Sequence, residues 1–280
     1  MTNLIPEIAL NDGTRLPAVG LGTYMLKGSA GLETIVNAVG LGYRLVDSAF
    51  NYENEGMVGE AVKRCGVPRS ALFITSKLPG RRHRYEEAIC TVEESLYRAG
   101  LDYYDLYLIH WPNPVTGLYL EAWQAMITVK ERGLVRSIGV CNFKPHHMAR
   151  LEKETGVLPC IDQIELHPYF NQPEQREWNA AHGIVTEAWS PLGRASRVRQ
   201  EPAILEIAAA KGKTPAQVIL RWQLQLGSLP IPKAASPEHL RENLGLFDFV
   251  LTGDEMAAIN ALTRPDGRLK NQDPDVYEEF

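Results

Sequence analysis

The sequence predicts an α/β fold, a (β/α)8 TIM barrel preceded by a β-hairpin. Short apolar runs alternate eight times with helix-like segments, and several of these runs end in a charged or polar residue. The length of 280 residues is close to the ~250 residues typical of such barrels. Strict alternation favours parallel strands covered by helices, and eight units favour closure over an open sheet. We therefore predict a single barrel domain over residues 1–280.

The elements follow in order from this pattern. The hairpin is predicted over 8–16, where Asn11-Asp12-Gly13 separates two apolar stretches and Asp-Gly tolerates the positive φ of a tight primed turn. Each following unit is a strand and then a helix: 19–23 and 32–39, 45–47 and 56–64, 72–77 and 85–99, 105–110 and 119–131, 138–140 and 146–153, 161–165 and 173–181, 185–190 and 215–226, 229–232 and 237–243.

Two helix starts carry explicit capping chemistry. Thr214, Pro215 and Gln217 combine a capping hydroxyl, a proline at the first helical position and a glutamine two residues further on. Ser236 and Pro237 repeat the first two parts. An open doubly wound sheet would need a G-x-G-x-x-G turn, and the glycine pairs at 20–22 and 40–42 lack the third glycine.

Composition excludes several classes of function. With 34 acidic and 29 basic residues and a net charge of −5, the chain has no excess of positive charge to bind nucleic acid. No apolar run reaches the ~18 residues of a membrane span, and residues 1–7 lack the features of a secretion signal. We expect a cytoplasmic monomer with no membrane or nucleic-acid partner.

No metal site is predicted. The four cysteines, Cys65, Cys90, Cys141 and Cys160, are far apart and fit reduced, buried thiols. His146 and His147 are adjacent, so on a helix we expect them to point in different directions, and His167 has no partner at ligand spacing.

Four residues that lie near strand ends form a candidate catalytic set: Asp47, Tyr52, Lys77 and His110. Their separation in the sequence requires different loops to converge at one rim of the barrel, where charged residues after buried strands are typical of a catalytic site. Taken singly, Asp47 and Lys77 also fit a structural ion pair, Tyr52 a surface aromatic residue and His110 a hydrogen-bonded core histidine.

Several motifs resemble those of the aldo-keto reductases. They are GYRLVDSA at 42–49, DLYLIHWP at 105–112, IGVCNF at 138–143, QIELHP at 163–168, WSPLG at 189–193 and GKTPAQ at 212–217. They occur in the family's order over nearly the whole chain, and the general run is similar to the bacterial 2,5-diketo-D-gluconate reductases. The resemblance implies NAD(P)H-dependent reduction of aldehydes and ketones, such as small dicarbonyls or keto-sugar acids, to alcohols.

The resemblance implies that Tyr52 is the general acid. A free phenol has a pKa near ~10 and gives up its proton reluctantly at neutral pH. We expect Lys77 to lower the tyrosine pKa and Asp47 to keep Lys77 charged and oriented. We expect His110 to donate a hydrogen bond to the substrate carbonyl oxygen and to stabilise the negative charge that develops there.

The resemblance also implies the cofactor-binding positions, which are Gly22, Thr23, Tyr24, Asn142, Gln163, Trp189, Ser190, Leu192, Gly193, Lys233, Ala234, Ser236, His239, Glu242 and Asn243. Asn142 and Gln163 would bind the nicotinamide carboxamide, and Trp189 would stack on its ring. Lys233 matches the lysine for the 2'-phosphate, and Glu242 and Asn243 match the adenine-contacting pair.

Three of the cofactor positions and their neighbours depart from the family pattern. Cys141 and Ala234 each replace a typical serine, and His239 replaces a typical arginine that forks around phosphate. Histidine is mostly neutral at pH 7, although Arg241 compensates if its side chain turns inward. We therefore expect NADPH as the preferred cofactor, with NADH also used.

The resemblance places Tyr24, Tyr52, Pro79, His110 and Trp111 in the substrate pocket. The basic run 81–83 either attracts acidic substrates or is simply a solvated loop at a helix start. The acidic tail after residue 264 either folds over the pocket or stays loose, and the sequence leaves this open.

Two other functions remain as alternatives. A Schiff-base aldolase would use Lys77 as its nucleophile, although a neighbouring Asp47 carboxylate would keep that lysine charged. A non-enzymatic nucleotide-binding subunit could share the fold, because a fold does not determine a function.

Overall fold

A closed parallel barrel forms the centre of the computed structural model, which describes residues 5–194 and 196–280. Within these residues the strands are β1 (Glu7–Ala9), β2 (Arg15–Pro17), β3 (Leu21–Gly22), β4 (Leu45–Asp47), β5 (Phe73–Leu78), β6 (Tyr104–Ile109), β7 (Val135–Cys141), β8 (Ile161–Glu165), β9 (Val185–Trp189) and β10 (Ser228–Pro230). From β3 to β10 each strand pairs in parallel with the next. The barrel closes where the chain around β3 meets the chain around β10. Gly20 N donates to Pro230 O (3.1 Å), and Gly22 N donates to Pro232 O (3.2 Å). The predicted barrel is confirmed.

Helices follow the barrel strands as predicted, and two more were not predicted. The helices of the described residues are α1 (Gly28–Leu41), α2 (Glu55–Arg64), α3 (Tyr85–Ala99), α4 (Tyr119–Glu131), α5 (Pro145–Thr155), α6 (Pro173–Ala181), α7 (Pro202–Lys211), α8 (Pro215–Gln225), α9 (Pro237–Glu242) and α10 (Gly253–Asn260). The unpredicted helices α7 and α10 lie outside the alternation. Both had local start signals: Pro202 at the first helical position, and a capping box between Thr252 and Glu255.

The hairpin β1–β2 forms as predicted, with Ile8 paired to Leu16. The predicted primed turn is wrong, because Gly13 alone of the three turn residues has a positive φ, at 84°. Leu10 N donates to Thr14 O (2.8 Å) and Gly13 N donates to Leu10 O (3.0 Å), so three residues form the loop. Asn11 Nδ2 donates to Pro159 O (3.0 Å), just before β8. The hairpin therefore covers the amino ends of the barrel strands, opposite the polar rim.

Capping chemistry sets the start of α8 as expected. Thr214 Oγ1 accepts from Gln217 N (3.2 Å), and Thr214 N donates to Gln217 Oε1 (3.0 Å). Such a reciprocal cap satisfies two backbone donors that the helix leaves free. Among the described helices, none combines the length and apolar character needed to cross a bilayer.

Candidate active site

A cavity of about 610 Å³ lies where the barrel strands end. Its lining includes twelve of the residues predicted for the site: Gly22, Tyr24, Asp47, Tyr52, His110, Trp111, Asn142, Gln163, Trp189, Ser190, Leu192 and Lys233. Because β4, β6, β7, β9 and β10 all end at this face, residues distant in sequence meet here. The predicted convergence at one rim is therefore observed.

A buried ion pair reaches the cavity through Asp47, which lines it. Lys77 Nζ is 2.6 and 2.7 Å from the two oxygens of Asp47 and donates to the carbonyl oxygen of Ser48 at 2.7 Å. The Lys77 side chain is 0% exposed. Burial acts to lower the pKa of Lys77, but the Asp47 carboxylate raises it above its ordinary value. Lys77 is therefore a fixed cation that does not line the cavity.

Tyr52 lines the cavity beside this ion pair. Lys77 Nζ is 5.1 Å from the centre of the Tyr52 ring, and the rings of His110 and Tyr24 meet it edge-on at 6.0 and 5.2 Å. Burial raises the pKa of Tyr52 to about 12, while the charge of Lys77 lowers it. Lys77 thus acts in the predicted direction, but burial has the larger effect, and the phenol keeps its proton at neutral pH.

Gln163 connects Asp47 to a second buried carboxylate. Its Nε2 donates to Asp47 Oδ1 (3.0 Å) and to Glu187 Oε2 (2.7 Å). Burial, followed by the charge of Asp47, raises the pKa of Glu187 above its ordinary value. Both Gln163 hydrogens are used here, so its carbonyl oxygen is the group left for the cavity. The sequence reasoning did not include Glu187.

Asn142 and Trp189 form the opposite wall. Trp189 Nε1 donates to Asn142 Oδ1 (2.8 Å), and Asn142 Nδ2 donates to the carbonyl oxygen of His110 (3.1 Å). These contacts fix the amide of Asn142 and leave it one free N–H. Asn142 and Ser190 both have positive φ, 61° and 48°, so the backbone turns sharply as the chain leaves β7 and β9.

The remaining predicted residues lie outside the cavity lining. Thr23 is buried and its hydroxyl donates to Asp47 O (2.9 Å). Ser236 caps α9 by accepting from His239 N (3.2 Å), and the guanidinium of the exposed Arg241 donates to Pro237 O (3.4 Å) in its own helix rather than turning inward. Also outside are Pro79, Gly193, Ala234, Glu242 and Asn243, of which Pro79, Gly193, Ala234 and Asn243 are buried.

Several lining residues were missed by the sequence reasoning: Met25, Pro191, Arg194, Arg199, Ile231, Pro232, Lys270, Gln272, Tyr277 and Glu279. The Arg194 guanidinium is 5.3 Å from the ring centre of Tyr24 and 5.7 Å from that of Trp189. By contrast, the basic run 81–83 does not contribute to the lining: Arg81 donates to Asn51 Oδ1 (2.6 Å) and His83 is buried. No sequence signal distinguished Arg194 from other surface arginines.

The acidic tail folds over the cavity, which answers a question left open by the sequence. The rings of Tyr277 and Trp111 lie 4.5 Å apart, and Lys144 Nζ is 2.7 Å from Asp273 Oδ1 and 2.5 Å from Asp275 Oδ2. The tail thus closes one side of the pocket.

The expectation that His146 and His147 point apart is wrong. Their rings lie 4.0 Å apart, and their Nε2 atoms are 3.3 and 3.8 Å from Asp275 Oδ1. The three side chains are close enough to share an ion, but the Lys144 ammonium already neutralises Asp275. The four cysteines are free, but only Cys141 and Cys160 are buried as expected, because Cys65 is half-buried and Cys90 is exposed.

Comparison with known proteins gives a consistent family assignment. The model of the aldo/keto reductase family matches residues 18–264. The chain is 51% identical over 276 residues to 2,5-diketo-D-gluconic acid reductase B of Corynebacterium sp. (strain SHS752001), covering 99% of both chains. It is 44% identical over 272 residues to methylglyoxal reductase DkgA of Salmonella typhimurium, covering 96% of this chain and 97% of the relative.

Solved structures agree with this assignment. A variant of Gox0644 in complex with NADPH superposes with a TM-score of 0.93 at 41% identity, covering 99% of this chain and 100% of that one. A Bombyx mori aldo-keto reductase in complex with NADP superposes with a TM-score of 0.90 at 34% identity. The match covers 99% of this chain and 98% of that one. The chain therefore belongs to the aldo-keto reductase family of oxidoreductases.

Proposed function

We propose that this aldo-keto reductase reduces small carbonyl compounds with NADPH, using Tyr52 as the proton donor. The observation that carries the proposal is the buried Lys77–Asp47 ion pair beside Tyr52, with Nζ 2.6 Å from Asp47 Oδ1 and 5.1 Å from the centre of the Tyr52 ring. A surface ion pair would contribute little to stability or chemistry. A buried cation next to a protonated phenol instead stabilises the phenolate that forms when the proton leaves.

The cavity fits a nicotinamide cofactor by its donors and acceptors. Gln163 has a carbonyl oxygen left to accept, and Asn142 has one N–H left to donate. Together they complement the amino and carbonyl groups of a carboxamide. Trp189 offers an aromatic ring beside them, and the exposed Lys233 of the same lining is a cation that a 2'-phosphate would need. NADH would lack this last contact.

The reaction divides between cofactor and protein. When bound, the nicotinamide supplies hydride to the carbonyl carbon. Tyr52 gives its proton to the carbonyl oxygen, and the resulting phenolate is stabilised by Lys77 until solvent reprotonates it. His110 orients the carbonyl oxygen and stabilises its growing negative charge by a hydrogen bond. Asp47 keeps Lys77 protonated and in place.

We propose keto-sugar acids and small dicarbonyls as substrates. The relatives are named for 2,5-diketo-D-gluconic acid and methylglyoxal. The cavity lining supports an anionic substrate, because four cations, Arg194, Arg199, Lys233 and Lys270, face two carboxylates, Asp47 and Glu279. Such an excess of positive charge attracts both the cofactor phosphates and an acidic substrate.

The alternatives are less well supported. A Schiff-base aldolase needs a neutral, accessible lysine, whereas Lys77 is fully buried and held between two carboxylate oxygens. A non-enzymatic subunit has no need for a proton donor supported by a buried ion pair.

The test measures oxidation of NADPH and NADH with methylglyoxal and 2,5-diketo-D-gluconate, comparing the wild type with Tyr52→Phe. We expect Tyr52→Phe to lose about 10² to 10⁴ in kcat while NADPH still binds. The matched control is Tyr97→Phe, which loses a phenol oxygen at an exposed position of α3 outside the cavity lining and should retain full activity. Equal rates for the wild type and Tyr52→Phe would contradict the proposal.

A further inference from the structure

The C-terminal tail brings a carboxylate to the candidate catalytic histidine. Glu279 Oε1 lies 2.7 Å from His110 Nδ1, with the two side chains 10% and 15% exposed. The oxygen does not approach along the direction of a linear hydrogen bond, so the contact is a close approach of a carboxylate to the ring nitrogen. Glu279 is the penultimate residue of the chain, and the sequence reasoning gave it no role.

Glu279 is held in place by several polar contacts. Its Oε2 accepts from Gly80 N (3.0 Å), and its Oε1 accepts from Asn51 Nδ2 (2.9 Å). Its backbone is paired twice with the buried Asn113: Nδ2 donates to Glu279 O (2.9 Å), and Glu279 N donates to Asn113 Oδ1 (3.0 Å). A loose tail would not bury a carboxylate with this many partners.

The carboxylate of Glu279 lies beside one of the two nitrogens of the His110 ring, Nδ1. A neutral imidazole has a single N–H. A carboxylate 2.7 Å from Nδ1 favours a proton on that nitrogen by its charge, and a neutral ring with its single proton at Nδ1 presents Nε2 only as an acceptor. Only the doubly protonated ring can face Glu279 and also donate from Nε2 to a carbonyl oxygen.

We propose that Glu279 is a positioning residue that keeps His110 as an imidazolium, so that Nε2 donates to the substrate oxygen during reduction. This inference deepens the proposed function and rests on it. The imidazolium strengthens the hydrogen bond to the developing alkoxide. No bond to the imidazole forms or breaks, because the transferred proton comes from Tyr52 and the hydride from the cofactor.

Other ionisable groups around the pair are compatible with this arrangement. Tyr52 and the Lys77–Asp47 pair lie on the barrel side, while Tyr277 and Glu278 belong to the tail. His83 is buried, and its burial lowers its pKa to about 4, so it stays neutral and does not compete for the carboxylate. Although burial acts in the opposite direction, the neighbouring His110 and the donors from Gly80 and Asn51 lower the pKa of Glu279 to about 2.

The kinetic test is a double-mutant cycle of His110→Ala and Glu279→Gln, assayed with NADPH and methylglyoxal. We expect Glu279→Gln to lower kcat about tenfold or more, with the loss growing as pH rises, and to leave the Kd for NADPH unchanged. In the His110→Ala background the same change should have no further effect, because Glu279 acts through that ring. An equal loss in both backgrounds would overturn the proposal.

A matched control separates this role from docking of the tail. Glu278→Gln removes the same charge one residue earlier, where the carboxylate accepts from Val115 N (2.8 Å) and does not contact His110. It should leave the pH dependence of kcat unchanged. If Glu278→Gln and Glu279→Gln have the same pH profile, Glu279 only anchors the tail.

A spectroscopic readout is independent of turnover. In protein labelled with ¹⁵N-histidine, the His110 signals, assigned with His110→Ala, should show two ring protons up to a higher pH in the wild type than in Glu279→Gln. Identical titrations would refute the proposal. If the wild type reduces no carbonyl compound, the proposed function fails, and this titration still decides whether Glu279 holds His110 protonated.

Discussion

Lys77 Nζ lies 2.6 Å from Asp47 Oδ1 and 2.7 Å from Oδ2, inside the barrel and out of contact with solvent. Moving two charges into a protein interior costs several kcal/mol each. This pair offsets that cost with further hydrogen bonds, from Lys77 to Ser48 O (2.7 Å) and from Gln163 to Asp47 (3.0 Å). A pair that only stabilised the barrel could be replaced by apolar residues, so we propose that its place beside Tyr52 serves catalysis.

Replacing Lys77 by methionine tests this explanation. Lys77→Met leaves Asp47 buried without its cation, so we expect a loss of about 3 to 5 kcal/mol in the free energy of unfolding and a fall in kcat of about 10² or more. Denaturant unfolding and NADPH oxidation measure the two effects. The control is the double variant Asp47→Asn with Lys77→Met, which should recover stability but not activity. Recovery of both would mean that the pair is structural.

The stability of the protein at alkaline pH should be limited by Glu187. Because burial raises its pKa, the folded state holds this proton at pH values where the unfolded chain has released it. The contribution of Glu187 to the free energy of unfolding is therefore fully present below the ordinary glutamate pKa of about 4.3. It is lost as the pH rises through the pKa of Glu187 in the folded state. We expect Glu187→Gln to be more stable than the wild type by about 1 to 3 kcal/mol at pH 8.5, and nearly equal at pH 4.

Thermal unfolding of the wild type and Glu187→Gln from pH 4 to 9 measures this difference. The matched control is Glu154→Gln at an exposed position of α5, which should follow the wild type throughout. A constant difference between Glu187→Gln and the wild type at every pH would contradict the prediction.

Cofactor preference should respond to His239, which is exposed at α9. His239→Arg supplies a permanent cation with a planar fork for phosphate. We expect a gain of roughly 1 kcal/mol, about fivefold in Kd, for NADPH and no change for NADH, because NADH has no 2'-phosphate. Fluorescence titration of both proteins with NADPH and with NADH gives the ratio of the two Kd values. An equal gain for NADH would show that the arginine acts elsewhere on the cofactor.

The docking of the C-terminal tail should require a glycine at position 80. A Cβ added to Gly80 would lie 2.3 Å from Asn113 Nδ2, so Gly80→Ala must displace the amide that pairs with the Glu279 backbone. We expect faster digestion by carboxypeptidase and a fall in kcat, with the barrel still folded. Mass spectrometry follows the digestion. The control is Gly253→Ala, where an added Cβ meets no atom within 4 Å, and similar digestion of both variants would contradict the prediction.

The fold could be predicted from the sequence because each strand and helix is indicated by residues within it or next to it. Each strand and helix from β3 to α9 is marked by its own apolar run or cap, such as the Thr214–Gln217 capping box, and parallel alternation then leaves few arrangements. The helices α7 and α10 were not predicted because they lie outside the alternation of strands and helices, although both carry start signals. The hairpin was predicted correctly, but the type of its turn was not. The type depends on which of the residues 11–13 take a positive φ, and the prediction of a primed turn was wrong.

The sequence alone determined the barrel and the set Asp47, Tyr52, Lys77 and His110, because residues at strand ends must meet at one rim. Only the tertiary structure decided what surrounds that set. Glu187 reads as one more strand residue, and Glu279 as part of an acidic tail, until folding brings them to Gln163 and His110. Burial likewise reversed the net pKa shift expected for Tyr52, because desolvation depends on all the neighbouring atoms and no local motif records them.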